Sequence, residues 1–155
     1  MRHFLGLVGA LFCVFLLAGC GKPEDRFIGK WKVNADDTSR NIEDAVEVEL
    51  EQDRSAGKAV PEDAQEKLTK FWTAIVLDAH MEIDVQADGS FVTTLRGKVD
   101  EQGTWKLADD TLIMSPTAPQ HGKSSKVLSG HLSSGQLCVK IEEGVTFEVV
   151  FDSAN

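Results

Sequence analysis

The chain has no tyrosine at all, only four prolines and three cysteines in 155 residues, and its 16 lysines and arginines are outnumbered by 25 acidic residues. Each shortage excludes something. A formal net charge of −9 excludes a phosphate-neutralising surface. Nucleic acid and anionic lipid headgroups are held by clustered lysine and arginine, and here the basic residues are scattered among carboxylates. No two histidines stand four residues apart, so the helical spacing that puts two imidazoles on one metal is missing. No serine lies in a Gly-x-Ser-x-Gly elbow, and Ser129-Gly130-His131 lacks an identifiable acid partner. Catalytic and metal sites and a cofactor are therefore not expected. The longest apolar run, residues 4–19, holds 16 residues, fewer than the roughly 18 of a spanning helix. With 42% hydrophobic and 26% charged residues, the remainder has the composition of a folded globular domain.

What is present at the N-terminus is a sorting signal. Arg2 and the α-amino group precede that apolar run, as in a signal peptide spanning 1–19. The run ends in Leu17-Ala18-Gly19-Cys20, which resembles the lipobox of bacterial lipoproteins at all four positions. The resemblance implies that the Cys20 thiol is alkylated with a diacylglyceryl group, that the chain is cut before it, and that the freed amine is acylated. Several acyl chains on one residue anchor durably, at about 0.8 kcal/mol per buried methylene. Gly21 in place of aspartate implies the outer membrane, facing the periplasm, by the habit of enterobacterial lipoproteins. Residues 20–26 form a short tether. Cutting before Cys20 leaves 136 of the 155 residues, the size of one domain. Cys13 leaves with the leader and Cys20 carries lipid, so Cys138 stands alone and no disulfide forms within the domain. Gln136 to Ile141 reads as a strand, which makes Cys138 a buried apolar side chain.

From residue 27 the chain reads as α+β, mainly β. Trp31 and Val33 alternate with Lys30 and Lys32 in a half-buried first strand. Ile42, Ala45, Val46 and Leu50 then recur at helical spacing over about 36–52, with Asp36, Asp37, Thr38 and Ser39 as cap candidates. A second helix spans about 62–79, its stripe of Ala64, Leu68, Phe71, Trp72, Ile75 and Ala79 facing the core. After this helical insert at about 36–79, period two returns. Residues 81–86 and 90–95 form a hairpin about Ala87-Asp88-Gly89, and strands follow at about 103–107, 111–115, 124–132, 136–141 and 145–151. The turns are short, so about eight strands run as an antiparallel meander. Closing such a sheet removes its edges, which favours a barrel; a half-open sheet capped by the helices is the alternative.

Gly29-x-Trp31 at the head of this meander resembles the signature with which lipocalins begin, and GTWKLADDTLIM at 103–114 is similar to a strand pair of small bacterial lipocalin-like lipoproteins. The resemblance implies a lipocalin-like barrel with an internal cavity for a small apolar ligand. The arginine that covers the family's tryptophan has no counterpart in the last strand, 146–151, nor has its tyrosine motif. Gly29-Lys30-Trp31-Lys32-Val33 is also echoed by Gly103-Thr104-Trp105-Lys106-Leu107; both tryptophans read as core residues. The expected inward positions Phe91, Leu95, Ile113 and Phe147 are the candidate cavity lining. His121 and His131 read as surface or turn histidines near Cys138. The expected function is a membrane-anchored, non-catalytic module binding a small apolar ligand or envelope component. The alternative is an envelope assembly or protein-interaction factor docking a basic partner through the acidic helix of residues 43–51.

Overall fold

The computed structural model describes residues 22–117 and 126–154; the leader, Cys20, Gly21, His121, Ser124 and Ser125 lie outside them. A single 3-10 turn at Pro23–Arg26 leads into β1 (Gly29–Val33), followed by α1 (Ala35–Ser55) and α2 (Ala64–Asp78). Seven more strands follow: β2 (Glu82–Val85), β3 (Ser90–Leu95), β4 (Lys98–Ala108), β5 (Thr111–Pro116), β6 (Leu128–Ser133), β7 (Gln136–Glu143) and β8 (Val145–Ser153). Each strand pairs antiparallel with the next. β8 returns to β1 through Trp31↔Ser153, Lys32↔Asp152 and Val33↔Phe151, so the sheet closes into an eight-stranded barrel. The expected strand order and the helical pair after strand one are both present, and the half-open alternative is not the form adopted.

Up-and-down order fixes two ends. The base holds the start of β1 and the β2–β3, β4–β5 and β6–β7 turns. The mouth holds the helical insert, the β3–β4 and β7–β8 turns and the approach to β6. Phe27 is buried at the base, and the Trp31 indole N–H donates to its carbonyl at 2.9 Å. Inside, Ile83, Val85, Phe91, Leu112, Met114 and Leu137 form one core with the inward side of β8. Gly103 is required there, because a Cβ would stand 2.8 Å from the Phe91 ring and 2.7 Å from Pro116 Cα.

α1 replaces a missing piece of wall. β8 has nine residues and β1 five, and their register leaves residues 145–150 of β8 without a strand on that side. An open strand edge invites pairing with other chains. The chain instead turns from β1 into α1 and lays it along this edge. Val150 O accepts from Asn34 N at 2.7 Å, Val150 N donates to Thr38 Oγ1 at 3.0 Å, and Asn41 Nδ2 donates to Glu148 O at 3.1 Å. Ile42, Val46 and Leu50 then complete the barrel core. Glu43, Asp44, Glu47 and Glu51 face solvent, as expected of the acidic side.

Four local expectations are corrected. The α1 cap is Asn34, whose side chain accepts from Asp37 N at 2.9 Å; Asp36 to Ser39 lie within the helix. β4 starts at Lys98 instead of 103, because Arg96 and Gly97, at φ 52° and 73°, form a two-residue hairpin turn. A bulge between Thr93 and Thr94 absorbs one extra residue of this polar strand. β6 starts at Leu128, so Lys126 and Val127 lie outside the strand expected at about 124–132, whose first two positions are not among the described residues. On α2, Phe71 and Ile75 are 55% and 48% exposed, while Val76 is buried and Leu68 and Trp72 pack on the core. α2 lies across α1 and the barrel rim, so it buries a narrow row at every fourth residue and not the broad stripe.

Candidate functional site

β5 ends at Pro116 opposite Gly103, leaving the first five residues of β4, Lys98 to Gln102, without β5 partners. β5 and β6 are paired only through Leu112↔Gly130, Ile113↔Ser129 and Met114↔Leu128. Toward the mouth no strand stands between β4 and β6 among the described residues, and a cleft of about 430 Å³ reaches inward there. Alternation along β7 and β8 turns Val139, Val149 and Phe151 into its interior beside Thr93, with Met81, Leu128 and Ile141 along its walls. Its rim is charged: Asp100, Glu101, Lys126, Lys140, Glu142 and Glu143. Lys140 pairs with Glu142, and Lys126 lies 3.5 Å from Glu143. The Lys140 hydrogen bond and charge hold the Glu142 carboxyl below the usual carboxylate range, with a smaller push from Lys126. An apolar interior under a polar rim of this size suits a small amphiphile, since small-molecule sites run from roughly 300 to 1,000 Å³.

None of the four side chains expected as a cavity lining borders this cleft. Phe91 and Phe147 are buried in the packed core, Phe147 against the Trp72 ring at a centroid distance of 5.6 Å. Leu95 is half-buried at the end of β3. In β5 it is Leu112 and Met114 that are buried, and Ile113 is half-buried on the alternate face. Leu-Ile-Met is continuously apolar, so periodicity does not say which of its residues turn inward. The signal that could have found the lining is the alternation Val149, Phe151 and Val139 in β8 and β7, combined with the choice of end that the meander dictates. Trp31 is buried, as expected. Trp105 is half-buried and donates its indole N–H to Gln86 O at 2.8 Å.

Cys138 is buried and free, and burial, with smaller effects of Glu148 and Asp37, pushes its thiol above the ordinary value. His131 is exposed and pairs in register with Cys138.

No family model, curated protein or solved structure matches the chain. The functional reading therefore rests on the cleft and on the sequence. Among the described residues no helix is long and apolar enough to cross a membrane.

Proposed function

We propose that the protein is a lipid-anchored envelope module that binds a small apolar ligand, or the apolar part of an envelope component, without chemistry. The observation that carries the reading is the mouth cleft, floored by Val139, Val149 and Phe151 and rimmed by charge. An environment-sensitive apolar fluorophore binds saturably, one per chain, and fatty acyl compounds displace it. Ile141→Trp places a large ring in the cleft wall and abolishes that binding while leaving the fold intact. Absence of saturable binding, or binding unchanged in Ile141→Trp, overturns the reading.

The anchor is lipid on Cys20, on the outer membrane and facing the periplasm. Pro23–Arg26 is folded against the base, with Arg26 bonded to Asp110 at 2.9 Å. Only residues 20–22 then separate the barrel from the lipid, which sets its base within about 10 Å of the bilayer and turns the mouth outward. Cys20→Ser moves the protein from the membrane fraction to the soluble envelope or leaves it uncleaved. If that variant stays in the membrane at its mature mass, the anchor is elsewhere.

The assembly-factor reading is favoured by one observation, the exposure of Phe71 and Ile75 on the insert. On that reading, Phe71→Ala with Ile75→Ala removes crosslinks to an envelope protein while cleft binding persists.

A further inference from the structure

We infer that His131, Cys138 and Glu148 form a binding site for a divalent transition-metal ion of the zinc type on the outer wall of the barrel. The strand register builds it. His131 of β6 stands opposite Cys138 of β7, Cys138 stands opposite Val150 of β8, and Glu148 lies two residues along β8 on the same outward face. His131 Nδ1 is 3.7 Å from Glu148 Oε1, and one donor atom from each of the three residues lies within 4.8 Å of the others. Zinc bonds of about 2.0–2.3 Å in tetrahedral geometry put ligand atoms roughly 3.3–3.7 Å apart, so the cluster needs to close by about 1 Å. The two outer side chains have room to make that movement, being 47% and 40% exposed, while the thiol is held in place at 6% exposure.

The donor set is specific in kind. An imidazole nitrogen, a thiolate and a carboxylate together suit zinc, or another borderline ion, better than calcium or magnesium, and three protein ligands leave a position for solvent or an external ligand. The surroundings also favour a cation. Asp37 faces the thiol from α1, and its own partners are Arg40 and Gln136. Lys140, opposite Glu148 in the register, turns its ammonium to Glu142. Among the described residues the ion-pair partner of Glu148 is His131 alone. The site is separate from the cleft, because Cys138 faces outward between Leu137 and Val139, which face inward. Binding breaks the S–H bond, forms a metal–sulfur bond and releases the thiol proton to the buffer. Affinity therefore rises with pH.

The full-length protein, purified in detergent and stripped with a chelator, is titrated with Co²⁺ followed by spectroscopy and with Zn²⁺ by calorimetry. One ion binds per chain, and Co²⁺ gives a thiolate-to-metal charge-transfer band with the intense visible bands of a tetrahedral site. His131→Ala, Glu148→Gln and Cys138→Ser each weaken Zn²⁺ by at least about tenfold, the lower end of what loss of a merely supporting contact costs, and Cys138→Ser removes the charge-transfer band. His131 is exposed, so His131→Ala keeps the fold, checked by circular dichroism, and decides the matter if Cys138→Ser unfolds. Failure to bind Zn²⁺ at micromolar concentrations, or binding that His131→Ala leaves unchanged, overturns the site. Neither result touches the cleft.

Discussion

Thr38 has no exposed surface, yet its hydroxyl lies against a strand edge, accepting from Val150 N at 3.0 Å and donating to Val150 O at 3.3 Å. Removing it leaves a buried amide without a partner, a loss of about 1–3 kcal/mol. Thr38→Val keeps the shape and is expected to lower stability by that amount in urea unfolding, whereas Thr38→Ser retains most of it. Equal stabilities of all three proteins would mean that α1 is held by its apolar face alone. Nothing in the sequence marks Thr38, because a threonine near a predicted helix start reads first as a cap. The tryptophans were more legible. In the echo of Gly29-Lys30-Trp31 by Gly103-Thr104-Trp105, both indoles donate to backbone carbonyls near the base, of Phe27 and Gln86. The two bonds differ in kind, since Trp31 holds the chain that enters its own strand and Trp105 holds the turn between β2 and β3. His131, Cys138 and Glu148 are far less legible, since 17 positions separate His131 from Glu148 and only strand register joins them.

Elements were read well where a period was unbroken and poorly where packing chose between faces. The meander and its turns follow from alternation and from Asp-Gly or Ser-Gly pairs, which need no tertiary information. The polar opening of β4, Lys98-Val99-Asp100-Glu101-Gln102, shows no alternation because it borders the cleft, where one face is neither core nor plain solvent. α2 carries more apolar surface than the barrel covers, so its sequence cannot tell which row is buried. The contact with Phe147 decides it for Trp72. Trp72→Ala is expected to cost about 3 kcal/mol, the low end for a large aromatic because the ring is only partly covered, and Phe71→Ala less than about 1 kcal/mol. Chemical denaturation of the two variants separates them. A loss at Phe71 as large as at Trp72 would mean that α2 is rotated on the barrel.

At the scale of the molecule, on the proposed binding reading, charge acts on what the cleft admits. The chain carries a net −9, and among the described residues its cleft rim holds four of the carboxylates against two lysines, Lys126 and Lys140. Each lysine sits by a carboxylate, so the described part of the rim carries net negative charge. An amphiphile entering tail first leaves its head at that rim. A cationic or neutral head is accepted there, and an anionic head meets like charge in partly screened surroundings, a modest penalty per contact. Among ligands of one chain length, affinity is therefore expected to fall from an alkyl ammonium through a neutral alcohol to a carboxylate. Added salt tests whether charge is the cause, since the screening length shrinks from about 10 Å at 0.1 M to about 3 Å at 1 M. The ranking should narrow toward equality over that range while the apolar contribution persists. Displacement of a bound fluorophore by the three ligands at both salt concentrations measures it. If the carboxylate binds best at low salt, the head group reaches past the acidic rim to Lys126 or Lys140, and Lys140→Gln should then abolish its advantage.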